Sequence, residues 1–227
     1  MNPANIAFRS KKEAVYDTLR HAILQGDLKP GARLVIDKLA ADLGVSQIPI
    51  REALQQLEGE GFVTIEPYVG VTVSDLQAGS ITEIFSLLEA LEVISGRAAC
   101  QSLSDDDLNQ IEAMLRHIDT LLDNPDRFSE ENKRLHHFIC DRAGTRLVKE
   151  FLTTVLAHWD RLRRHYLNDV FSHRVQVAQA DHWAMLAAWR TRDLEQVEQC
   201  IRQHNQTARA DYVNYLANLA EGESKSK

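Results

Sequence analysis

Residues 44–54 read Gly44-Val45-Ser46-Gln47-Ile48-Pro49-Ile50-Arg51-Glu52-Ala53-Leu54. Gly44 is the residue type that closes a helix in the left-handed region, and Ser46 is a good N-cap. Pro49 falls in a first helical turn, where its missing N–H costs little. The stretch therefore predicts two helices joined by a tight link, the second running from Ile48 to about Glu60 with an exposed N-terminus.

The flanking residues complete a pattern. From Lys12 to Leu24, Ala14, Val15, Leu19, Ala22, Ile23 and Leu24 recur at helical spacing, and the run stops at Gly26. Leu28 to Leu34 is a Pro-Gly turn with a short extended piece, and Ile36 to Leu43 is a compact helix. After Gly61, Phe62-Val63-Thr64-Ile65 and Val69-Gly70-Val71-Thr72-Val73 bracket Glu66-Pro67-Tyr68, which predicts a β-hairpin. Helix, helix, link, helix and hairpin is the order of a winged helix-turn-helix. A small α+β domain with no nucleic-acid partner has the same order.

From Ser80 onward the texture is helical throughout. Ser80 and Glu83 have capping-box spacing ahead of Ile84, Leu87, Leu88, Leu91, Ile94 and Ala98. Ser104 with Asp105, Asp106 and Asp107 opens a helix to about Asp123. Asn124-Pro125-Asp126 reads as a turn, with Ser129 capping a helix to Ala143. Further runs follow at about 146–167, 174–191 and 193–218. The expected fold is mainly α: a winged helix-turn-helix (α+β) over residues 10–76, then an all-α six-helix bundle over residues 80–218, joined by Leu76 to Ser80.

The composition limits the function. The 227 residues carry a net charge of −7, and even residues 1–75 hold 8 Lys and Arg against 10 Asp and Glu. A coat of non-specific positive charge is excluded, so any DNA contact depends on where single cations sit. No run approaches the ~18 apolar residues of a membrane span, and MNPANIAFRSKK lacks a signal-peptide core, so a cytoplasmic protein is expected. Cys100, Cys140 and Cys200 have no CxxC spacing and read as small buried thiols.

Nine histidines occur, with only His21 in the first domain. Asn132 and His136 stand at i and i+4 on one helix, with His182 and His204 on later ones. Three imidazoles and an oxygen suit zinc, nickel or a similar divalent metal. By spacing alone, His137/Asp141 and His158/His165 compete with this set. No HExxH-type general base accompanies any of them, which weighs against a metalloenzyme.

Several spaced elements together resemble the GntR superfamily of bacterial transcription regulators. They are Leu28-x-Pro30-Gly31-x-x-Leu34, Leu39-Ala40-x-x-Leu43-Gly44-Val45-Ser46, Pro49-Ile50-Arg51-Glu52-Ala53-Leu54 and Leu57-x-x-x-Gly61. The resemblance implies that the helix after Ser46 enters the major groove of a double-stranded DNA operator, a short palindrome met by a homodimer. It places Arg33, Ser46, Gln47, Ile48 and Arg51 at the DNA, with Tyr68 and Gly70 at the wing tip. Two positions depart from the pattern: many relatives carry Arg at Gln47, and the best-studied fatty-acid-responsive ones carry another at Asp37. Gln47 can read adenine through its amide, or pack near the backbone and read nothing.

Asn132-x-x-x-His136, Asp181-His182, Asp193 and His204 resemble the FCD domain of the FadR subfamily, as do Glu92 and Ala98-Ala99. The metal-containing branch of that family uses Asp or Asn and three His to hold a divalent metal at a cavity floor. A small carboxylate or sugar-acid effector then completes the coordination; a metal-free organic-acid pocket is the alternative. Leu88 stands where many relatives have an effector-neutralising Arg, and Arg163 and Arg164 are the candidates to replace it. The implied activity is a ligand-responsive transcription regulator, most often a repressor.

Overall fold

In the computed structural model the described residues are 10–75 and 79–224, with side chains to residue 218. The chain divides into two compact units, residues 1–76 and 77–227.

In the first unit, helix α1 (Lys11–Gln25) opens on a capping box: the Glu13 backbone N–H donates to the Ser10 hydroxyl and the Ser10 N–H donates to the Glu13 carboxylate. It stops at Gly26, whose φ of 84° is left-handed. Val15, Leu19 and Ile23 form its buried stripe and pack on α3 (Gln47–Gly59), which buries Ile50, Ala53, Leu54 and Leu57. Between them lies α2 (Ile36–Leu43), closed by Gly44. The short extended piece after the Pro-Gly turn becomes β1 (Arg33–Leu34). It pairs antiparallel with β3 (Gly70–Val73), which also pairs with β2 (Val63–Glu66), giving the order β1-β3-β2. Leu34, Val63, Val71 and Val73 face the core beneath this small sheet.

The second unit is a bundle of α4 (Ser80–Ser102), α5 (Asp105–Asp119), α6 (Pro125–Arg142), α7 (Arg146–Leu162), α8 (Asn168–Thr191) and α9 (Leu194–Ser224). Helix α4 lies against α6, α7 and α9. A Cβ on its Gly96 would lie 2.2 Å from Ile201 Cδ1, so glycine is what lets α4 and α9 approach so closely.

Three local readings change. The Ser80–Glu83 capping box does not form: Ser80 is the first helical residue and Gly79 occupies the cap without a side-chain bond. Helix α6 starts four residues before Ser129, because the Asn124 side chain accepts from the Arg127 N–H and Pro125 fits the first turn. Ser129 is instead buried mid-helix, its hydroxyl donating to Asp160 at 3.0 Å. The expected break between residues 167 and 174 is no break either. A π-helical turn, Arg163–Leu167, carries α7 directly into α8; residues 76–78 of the expected linker lie outside the described residues. Cys100 and Cys140 are buried and Cys200 partly so, all as free thiols.

Candidate functional site

The N-terminal end of α3 presents a row of exposed polar side chains. Ser46 caps it in an extended conformation but makes no side-chain cap bond, so its hydroxyl is left for a partner. Gln47, Ile48 and Arg51 are exposed, Ile48 to 67% although it is apolar. The two departures from the family pattern meet: the Gln47 amide donates to the Asp37 carboxylate, and Arg51 Nη2 donates to Gln47 Oε1 at 3.3 Å. Gln47 thus acts as a bridge that holds Arg51 over the helix start, where the backbone N–H groups and positive dipole end also favour an anion.

The wing is built for close approach. Tyr68 takes a left-handed φ of 66° and is fully exposed at the turn, and Gly70 has a φ of 129° that L residues rarely adopt. Arg33 Nη2 donates to the Val69 carbonyl at 2.7 Å, and its guanidinium lies 3.4 Å from where a Gly70 Cβ would be. Arg33 therefore shapes the wing tip as well as charging it.

In the bundle, α6, α8 and α9 bring Asn132, His136, His182 and His204 together. The His182 ring centroid lies 6.0 Å from that of His136 and 5.2 Å from that of His204. Among the described residues no three His, Cys, Asp or Glu side chains stand closed around a common ion position. The hydrogen-bond directions are more telling. The Gln179 amide nitrogen donates to the Leu115 carbonyl and Asp119, which turns its oxygen to His182 Nδ1 at 3.2 Å. Nδ1 of His204 lies 3.0 Å from Asp181 Oδ2, and Nδ1 of His136 lies 3.5 Å from Glu92 Oε1.

Acceptors at all three Nδ1 atoms fix the proton there and leave Nε2 with its lone pair, as in metal-ligating histidines. His182 Nε2 and Asn132 Oδ1 are indeed buried without a hydrogen-bond partner. Burial lowers the His136 pKa against the opposing pull of Glu92, and lowers that of His182 well below the ordinary histidine range. Neutral rings are the form a divalent metal binds. The donor set fits such an ion on these grounds.

Asn132, His136 and His204 line one end of a cavity of about 460 Å³. Its walls are Phe85, Leu88, Phe128, Leu156, Trp159, Phe171 and Tyr212. The rings pack mutually, with Trp159 4.7 Å from Tyr212 and 5.0 Å from Phe85 between centroids. An adjoining apolar cavity of about 400 Å³ lies behind His136 and His182.

Arg163 and Arg164 do not line that aromatic cavity. Arg163 is fully buried, its Nη2 donating to Asp126 at 2.8 Å and Asp160 at 3.0 Å, with its guanidinium over the Phe171 ring. Arg164 pairs with the same two carboxylates. Burial alone would raise the Asp160 carboxyl, but Lys133, Arg163 and Arg164 overcome it and hold it down at about 2. The cation that does line the cavity is Arg174, buried on α8 and paired with Asp211, with Nη2 left unpartnered. Its spacing from His182 put it on no recognisable motif, and it is the polar group that sequence reasoning missed.

A winged helix-turn-helix carried on a six-helix bundle with an internal polar-ended cavity defines a class of ligand-responsive DNA-binding regulators. The chain belongs to the gntR family of bacterial regulatory proteins, matching that family over residues 11–73 and the FCD domain over residues 83–207. It is similar to the Nta operon transcriptional regulator of Aminobacter aminovorans, 32% identical over 167 residues, covering 73% of this chain and 78% of that protein. It is also similar to the uncharacterized HTH-type regulator YdhC of Bacillus subtilis, 26% identical over 194 residues, 83% of this chain and 85% of the other. The structure of Escherichia coli McbR/YncC superposes with a TM-score of 0.72 at 24% identity, covering 90% of this chain and 98% of that one. No helix among the described residues is long and apolar enough to cross a membrane.

Proposed function

We propose that this transcription regulator is a homodimeric repressor that releases a palindromic operator when a small carboxylate occupies its helical unit. In this reading Asn132, His136, His182 and His204 hold a divalent metal, zinc or nickel, which when bound supplies a Lewis-acid position for the effector's carboxylate. The observation that carries it is the pair of buried, unpartnered atoms, Asn132 Oδ1 and His182 Nε2, beside imidazoles whose Nδ1 atoms all face acceptors. Unpaired buried polar groups are costly, and a ligand that satisfies them is the simplest reason to keep them.

At the DNA, Arg51 forks to a guanine edge or a phosphate, and Ser46 with the first N–H groups of α3 holds a phosphate. An effector with higher affinity for the DNA-incompetent state shifts the population off the operator. The test is elemental analysis of purified protein alongside operator binding by fluorescence anisotropy. One divalent metal per chain, lost in His182→Ala, is expected; the absence of metal from the wild type after growth in zinc- and nickel-supplemented medium overturns the metal reading.

A further inference from the structure

The aromatic cavity has two polar ends. At one stand Asn132, His136 and His204; at the other is Arg174, 6% exposed, with Nη1 donating to Asp211 and Nη2 buried without a partner. The Tyr212 hydroxyl lies beside the same guanidinium. Arg174 precedes His182 by eight residues on α8, which at the rise of a helix separates their backbones by about 12 Å along its axis. Between the ends run the faces and edges of Phe85, Phe128, Trp159 and Phe171.

These walls discriminate by chemistry. Each hydroxyl of a sugar acid would need its own buried partner, and the nearby Asn205 amide is already engaged, donating to Glu92 at 2.7 Å and to the Ile201 carbonyl at 3.2 Å. A flat ring instead finds offset and edge-on contacts on several sides. Because Asp211 already balances the Arg174 charge, its free Nη2 suits an acceptor oxygen and does not demand a second full anion.

We propose that the effector is an aromatic carboxylate, its acid group at the Asn132–His204 end and an acceptor oxygen on the opposite edge of its ring received by Arg174 Nη2. This rests on the carboxylate-effector reading above and adds the class of acid and a residue that selects it.

The experiment is calorimetric titration of the zinc-loaded full-length protein with benzoate, 4-hydroxybenzoate and gluconate. The wild type should bind 4-hydroxybenzoate about tenfold more tightly than benzoate, and gluconate most weakly. In Arg174→Met the hydroxyl's advantage should vanish while benzoate affinity stays put, which also reports that the cavity has folded. Arg174→Lys, which keeps the charge opposite Asp211, should lose most of the advantage too. Gluconate binding as tightly as benzoate overturns the aromatic class. Retention of the hydroxyl's advantage in the variants, or equal loss for both aromatic acids, overturns the role of Arg174 while leaving the carboxylate reading in place. If none of the three acids binds the wild type, both readings fall.

Discussion

The start of α3 and the inner face of α8 both carry arginine and amide side chains, yet they treat them oppositely. On α3, Gln47 and Arg51 are exposed, and their bonds to Asp37 and to each other lie in water. Such pairs contribute little to folding and exchange readily for contacts with a partner. In the bundle, Arg163 and Asp160 are buried and fully engaged by the fold, while Arg174, Asn132 and His182 are buried with atoms left over. The contrast separates three kinds of polar group: those available at the surface, those consumed by stability, and those held in reserve for a ligand.

The largest test of that division is Asp160→Asn. It strips Arg163 and Arg164 of a shared anion and leaves Arg163 with only the half-exposed Asp126, so the bundle should lose about 3–5 kcal/mol. Trp159, Trp183 and Trp189 are the chain's three tryptophans and all lie in the bundle, so fluorescence-detected urea unfolding reads this unit directly. An unchanged midpoint would mean that the ion cluster is not structural, and the contrast with the α3 surface would fail.

Acid titration probes the same carboxylate without a mutation. The Asp160 pKa is lowered from the ordinary 3.8 to about 2 in the folded state. Its contribution is therefore fully present above the unfolded value and is lost as pH falls from about 4 to about 2, amounting to about 2 kcal/mol. In Asp160→Asn this portion of the acid sensitivity should be missing. If wild type and variant lose stability in parallel over that window, the cluster does not hold Asp160 ionised.

Arg51→Ala should do the reverse of Asp160→Asn. Each recognition helix should lose about 1–3 kcal/mol of operator binding. The tryptophan-detected midpoint should stay within about 0.5 kcal/mol, since the residue is exposed. Operator affinity unchanged in anisotropy titrations would remove Arg51 from the DNA-reading surface.

How far each site could be read from the sequence follows from how each is assembled. Ser46, Gln47, Ile48 and Arg51 lie within six residues of one another, so local capping and helical spacing locate them, and α2 and α3 fall within a residue of their expected bounds. The histidine set spans three helices and needed a family pattern to single it out from His137/Asp141 and His158/His165. Arg174 had no such pattern, because its meeting with Tyr212 and Phe85 depends on how α4, α8 and α9 pack. The Arg163 assignment to an effector went astray at the π-helical turn. The extra residue in that turn shifts the helical phase of everything after it, so 3.6-residue counting through residues 163–167 misplaces the face.

The smallest effect concerns the bridge itself. If Gln47 serves to hold Arg51, then Gln47→Ala should weaken operator binding only severalfold, with no change in folding. Asp37→Ala should then strengthen it, because removing the carboxylate frees the Gln47 amide and takes a repelling charge from beside the phosphates. The combination Asp37→Ala with Gln47→Ala distinguishes a bridge from two independent effects: in a bridge, the gain from Asp37→Ala shrinks once Gln47 is gone. Strict additivity in salt-matched anisotropy titrations would mean that Gln47 and Asp37 act on DNA separately, and that the contact between them on the free protein is incidental to recognition.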